Sequence, residues 1–198
     1  IEAVNGRVYR GDGGAGSFVF QGSCGGGGAS EHIFFYRVDH EMEALEVTTT
    51  LPDNQFDSVL YIRRNCTDNA TELACQREPL NDGVSANHLR IEAPAFGDYY
   101  IFIDGADGQG GAFALQVNEV PLAPCRNGED DDGDGRIDYP HDPGCENLAD
   151  RDEADPDPLP ACFDDEDNDG DGLIDFPLDI GCRSASDNDE IDSCGQGI

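Results

Sequence analysis

The sequence predicts an all-β chain: an antiparallel β-sandwich of jelly-roll type in residues 1–121, followed by two small irregular repeats. Three observations lead there. Short β-branched and aromatic runs recur through the first region, with Gly, Asp, Asn and Pro clustered between them. No segment shows helical periodicity. In the second region a 31-residue pattern recurs at an offset of 37.

Seven strands are expected in the first region: GRVYR (6–10), HIFFYRV (32–38), ALEVTTT (44–50), SVLYIRR (58–64), NHLRIEA (87–93), DYYIFID (98–104) and AFALQVN (112–118). In ALEVTTT and HLRIEA apolar residues alternate with polar ones, as in half-buried strands. The GGGG after Cys24 lacks the GxxxxGK[ST] continuation of a phosphate cradle and reads as a loop. Arg10–Asp12 spells RGD, which reads as a chance tripeptide. The NxT sequons at Asn65 and Asn69 read as a polar loop.

Order and spelling add a resemblance. SCGGGGASEHIFFYRV, FDSVLYIRRNC, ELAC and GDYYIFIDGADGQGGAFALQV, in that order over about residues 3–120, resemble the bacterial pre-peptidase C-terminal domain. They are especially similar to a Cys-containing version found in secreted proteins of myxobacteria and their relatives. The resemblance implies a non-catalytic β-sandwich attached to secreted enzymes or surface proteins. Members commonly carry NDD soon after LAC, where this chain reads QREPLNDG after Cys75.

Charge narrows the function. The formal net charge is −32, and all eleven basic residues are Arg. Nucleic acid and anionic membranes would be repelled, whereas metal cations are natural counterions. No apolar run approaches the roughly 20 residues of a membrane span. The opening IEAVNG, without Met, reads as a processed mature chain. Eight Cys without a CxxC pair favour disulfides in an oxidising compartment over zinc. There is no HExxH or GxSxG, and the four His (His32, His40, His88, His141) form no catalytic pattern, so the chain is expected not to be an enzyme.

Acidity is uneven: residues 1–121 carry a net charge of −11 and residues 122–198 carry −21. The boundary falls at VPLAPC (120–125). The second region divides into repeat 1 (122–155) and repeat 2 (156–198), joined by the Pro-rich ADPDPLPA. Aligned from Cys125 and Cys162, 17 of 31 positions are identical, including both Cys of each copy. Disorder needs only composition; it does not need Cys, Gly, Ile and Pro at fixed intervals.

Each copy reads D-x-D-x-D-G-x-I-D, the first three-quarters of an EF-hand calcium loop. Candidate side-chain ligands are Asp130, Asp132, Asp134 and Asp138 in repeat 1, and Asp167, Asp169, Asp171 and Asp175 in repeat 2. Arg136 and Leu173 would offer backbone carbonyls, Gly135 and Gly172 permit the turn, and Ile137 and Ile174 are expected to pack inward. The twelfth-position Glu of an EF-hand is replaced by His141 and Leu178, so Asp142 and Asp179, one residue later, are the candidates to close the shell. The acidic tails (Asp150, Asp152 and Glu153; Asp187, Asp189 and Glu190) either fold back to complete the first ion's shell or hold a second ion, or form a solvated acidic face. The units resemble thrombospondin type 3 calcium repeats, more specifically the DNDGDGLIDFPxDPGC modules of secreted bacterial proteins. An all-oxygen set of many carboxylates suits Ca²⁺ better than Zn²⁺, Cu²⁺ or Mg²⁺.

Expected disulfides are Cys125–Cys145 and Cys162–Cys182, each closing an acidic loop, and Cys66–Cys75. Cys24 and Cys194 remain, to pair within the chain or between subunits. The expected function is a secreted, calcium-binding structural subunit of an extracellular or cell-surface assembly, such as a filament. Copies would join through sandwich edge strands, for instance residues 1–10, or through the calcium repeats. The alternatives are a carbohydrate- or protein-binding module, or an accessory region of a secreted hydrolase.

Overall fold

In the computed structural model, residues 1–12, 19–52, 54, 56–77 and 87–191 are described. They divide into two compact units, 1–121 and 122–198. The first is an antiparallel sandwich of eight strands: β1 (Val8–Asp12), β2 (His32–Val38), β3 (Ala44–Thr48), β4 (Ser58–Arg63), β5 (Glu72–Arg77), β6 (His88–Glu92), β7 (Gly97–Gly105) and β8 (Ala112–Val120). One sheet runs β1-β8-β3-β6 and the other β2-β7-β4-β5.

Alternation supplies the core. Phe34, Tyr36 and Val38 of β2, Leu60 and Ile62 of β4, and Tyr99, Ile101 and Ile103 of β7 face Leu45, Val47, Phe113, Leu115 and Val117 of the other sheet. Every residue of β4 is buried, because its outer face is covered as well. There Val59, Tyr61, Phe102 and Ala106 form a second cluster, with Phe20, Cys24 and Cys75 packed on it. Tyr61 and Phe102 stack at 4.6 Å. The covering segment is held by Glu31, which accepts from the amides of Val19 and Phe20.

A disulfide pins the same segment, and it corrects an expectation. Cys75 bonds to Cys24, not to Cys66. Nearness in sequence misled here. Cys75 lies in register with Tyr61, on the outer face that the Cys24 segment crosses, whereas Cys66 lies beyond the end of β4 and carries a free thiol. Cys194 and residues 78–86 lie outside the described residues, and with them the remaining pairing expected of Cys194 and most of QREPLNDG.

The expected strands appear with shifted ends, and β5 is an addition. As an edge strand, half exposed and spelled ELACQR, it lacks the alternation that marks the others. Arg10, Gly11 and Asp12 form regular strand paired with Ala114, Phe113 and Ala112, so the RGD tripeptide is not a loop. The first residues are also engaged. Phe35 donates to the carbonyl of Ile1 and Ala3 to that of Phe35, each at 2.7 Å, so the chain start runs parallel to β2. Residues 1–3 and 8–12 thus extend their own sandwich, with β1 at the edge of its sheet.

The second unit has no strands or α-helices among its described residues. Each repeat opens with one 3-10 turn, at Pro124–Arg126 or Ala161–Phe163. Disulfides join Cys125 to Cys145 and Cys162 to Cys182, each spanning 20 residues. Closing a loop of that length restricts the unfolded chain by about 3 kcal/mol. Backbone pairings repeat too: Tyr139 donates to Cys125 and Phe176 to Cys162, both at 3.1 Å.

Candidate metal centre

Each acidic loop is shaped by its own aspartates. Asp130 accepts from Gly133 at 2.7 Å and Gly135 at 3.1 Å, Asp132 from Asp134, and Asp134 from Arg136. Asp167, Asp169 and Asp171 repeat this with Gly170, Gly172, Asp171 and Leu173. Such side-chain-to-backbone bonds favour turns over helix or strand. Gly135 and Gly172 take φ of +95° and +97°, the turn for which the sixth position needs glycine. In each trio one carboxylate oxygen per residue lies within 4.8 Å of the others.

A trio of exposed acids is not in itself a site. What distinguishes these repeats is a buried acid in each, and in repeat 1 that acid feels the charges of Asp134 and Asp132. Asp142 is fully buried and Asp179 nearly so. In both, Oδ1 accepts from the backbone of Gly144 or Gly181, and Oδ2 is buried with no partner. A buried carboxylate oxygen without a donor is costly. Burial pushes the Asp142 carboxyl up to about 6, and repulsion from Asp134, Glu153 and Asp132 adds to the rise. Asp155 is raised as well, by desolvation first and then by Asp134 and Asp132. Carboxylate charge thus accumulates around the Asp132–Asp134 turn, opposed at Asp155 by Arg136, and oxygens of this kind suit a hard cation.

The remaining candidates have other surroundings. Asp138 accepts from Gly128 through Oδ2, and its Oδ1 is buried and unpartnered. Both oxygens of Asp175 take backbone donors, Asp164 and Asp165. Ile137 and Ile174 do not pack inward: they are 47% and 44% exposed. The loop interior is filled by acid–amide bonds, which leaves no apolar space for them.

The tails divide. Asp150, Asp152, Asp187 and Asp189 accept from amides of Glu146, Ala154, Arg183 and Ile191, within their own tail turns. Glu153 and Glu190 do fold back. Each is 2% exposed and bridges the loop: Glu153 accepts from Asp131 (2.7 Å) and Asp138 (3.3 Å), Glu190 from Asn168 and Asp175. Gly144 and Gly181 allow this crossing, since a Cβ at either would strike the carbonyl of Glu153 or Glu190. Glu153 also lies against Cys125 and Cys145, but those sulfurs are bonded to each other and are no thiolate ligands.

Sequence reasoning missed Asp155. It is identical to Asp192 in the alignment, which was its only signal.

The sandwich offers a different feature, an open polar cleft of about 530 Å³ lined by Gln21, Gly22, Ser23, Arg63, Asn69 and Glu72. The Arg63 guanidinium is engaged there by the Gln21 carbonyl and Glu72, and lies over Tyr61 and Phe102. Among the described residues, no helix is long and apolar enough to cross a membrane.

No protein-family model matches the chain, and no curated protein does. Among solved structures, it is similar to the pre-peptidase C-terminal domain of collagenase from Bacillus anthracis. The likeness covers 60% of this chain and 91% of that one, at 13% identity and a TM-score of 0.38. A likeness at this level assigns neither family nor activity.

Proposed function

We propose that the two loops bind Ca²⁺, one site per repeat at least, and that the chain is a non-catalytic structural component of an extracellular or cell-surface assembly. The observation that carries the calcium reading is the buried, unpartnered Oδ2 of Asp142 and of Asp179 in the same repeats as the carboxylate trios. Asp130, Asp132, Asp134 and Asp142 would hold the ion in repeat 1, and Asp167, Asp169, Asp171 and Asp179 in repeat 2. The ion would supply charge compensation and rigidity to a unit without an apolar core. Without a bidentate Glu at position twelve, affinity belongs to the extracellular class, roughly 10⁻⁴–10⁻³ M. Three disulfides favour an oxidising location.

The test is thermal unfolding of the full chain with Ca²⁺ and with chelator. Chelation is expected to lower the melting temperature of the second unit. Asp132→Ala combined with Asp169→Ala is expected to reproduce that shift in the presence of Ca²⁺. Identical melts in all conditions overturn the reading.

A further inference from the structure

The two repeats are copies, and each has one end engaged in the contact between them and one end that is not. Repeat 1 presents one end to repeat 2. The Arg136 guanidinium lies 4.7 Å from the Phe163 ring centroid, His141 packs at 5.3 Å on Phe176, and Ala185 donates to the Pro140 carbonyl at 2.9 Å. The presenting end is therefore Arg136, Pro140 and His141, and the receiving end is Phe163, Phe176 and Ala185.

Shifted by 37, the presenting end of repeat 2 is Leu173, Pro177 and Leu178, and the receiving end of repeat 1 is Arg126, Tyr139 and Leu148. Both are open. Leu178 is 73% exposed and Leu148 is 51% exposed, whereas Ala185, the counterpart of Leu148, is 1% exposed. Ile180 is 76% exposed where its counterpart Pro143 is buried. Of the paired positions, Ala185 is covered where the repeats meet and its counterpart Leu148 is bare, while Arg136 and His141 stay exposed within the contact. At the bare presenting end the polar Arg136 and His141 have become Leu173 and Leu178. Solvent exposure alone would favour the reverse exchange.

We infer that the Leu173–Leu178 end of repeat 2 docks on the Arg126–Tyr139–Leu148 end of repeat 1 in a second copy of this chain. The contact continues, between molecules, the step that joins the repeats within one. It sets Leu173 over the Arg126 side chain, Leu178 against the Tyr139 ring, and the Leu148 amide opposite the Pro177 carbonyl. The two ends differ, so the contact is heterologous, and each copy keeps one end free to add another. This rests on the assembly role proposed above and gives that role its surface.

Sedimentation of the full chain in millimolar Ca²⁺ tests it with two variants, Leu178→Glu and Leu148→Glu, each spoiling one end. Wild type is expected to grow in mass with concentration. Each variant alone is expected to remain monomeric. Their equimolar mixture is expected to form dimers and nothing larger, because only one intact pair of ends remains. A monomeric wild type overturns the inference, as when the chain's own tail covers the face. Association of either variant alone overturns it too, as in a contact between like ends, and so does a mixture that stays monomeric. Calcium isotherms recorded in parallel report on the loops separately: a flat wild-type isotherm removes the calcium reading, while docking is judged by sedimentation.

Discussion

The two units solve the same problem with different materials. In the sandwich, large side chains such as Phe34, Leu60, Ile101 and Phe113 are buried together between two sheets. Among the described residues of the second unit, the buried apolar side chains are Ala123, Pro143, Pro160, Ala185 and the four bonded cysteines. Its other buried groups include Asp142, Glu153, Asp179 and Glu190. Where the first unit removes apolar surface from water at about 25 cal/mol per Å², the second encloses carboxylates. Burying acids is unfavourable without donors or cations. The second unit is therefore held by disulfides and amide donors, to which the proposed ions would add.

The largest expected effect breaks the units apart. Chelator together with reductant should open residues 122–191 to protease while the sandwich core stays resistant, as mapped by mass spectrometry of the fragments. Uniform resistance or uniform digestion would contradict the division.

Next comes a change confined to the sandwich. Leu60→Ala should cost about 2–5 kcal/mol in denaturant unfolding of the first unit. The cost should be the same with and without Ca²⁺.

A smaller effect sharpens the electrostatic half. The Asp142 carboxyl is held at about 6, above its ordinary 3.8, chiefly by burial. The folded chain therefore binds this proton more tightly than the unfolded chain does. Calcium-free protein should gain stability in repeat 1 as pH falls from 7 through 6 towards 4. Calcium-loaded protein should lose stability over the same range, because protons compete with the ion. Asp142→Asn should flatten the calcium-free profile. Melting curves across that range check both signs.

The sequence made the sandwich legible because strand alternation and turn residues report directly on a two-faced sheet. It hid β5, whose ELACQR has no β-branched or aromatic residue and is only partly buried along its length. It misdirected the Cys75 pairing, which depends on the face of a strand rather than on separation along the chain. In the repeats, the duplicated spacing located Asp130, Asp132 and Asp134 and singled out Asp142. It could not separate Glu153, which bridges the loop from behind, from Asp150 and Asp152, which cap the tail turn. All three are acids in one short run, and only the crossing at Gly144 distinguishes them. Ile137 looked like a core residue by analogy with an EF-hand, but that role needs flanking helices, which the repeats lack.

Direct calcium binding to the full chain, followed by titration calorimetry, bears most immediately on the account. The predicted result is binding at both loops, with Asp132→Ala removing the share of repeat 1 and Asp132→Ala/Asp169→Ala removing all of it. An isotherm without calcium-dependent heat, or one that the double variant leaves unchanged, would contradict it.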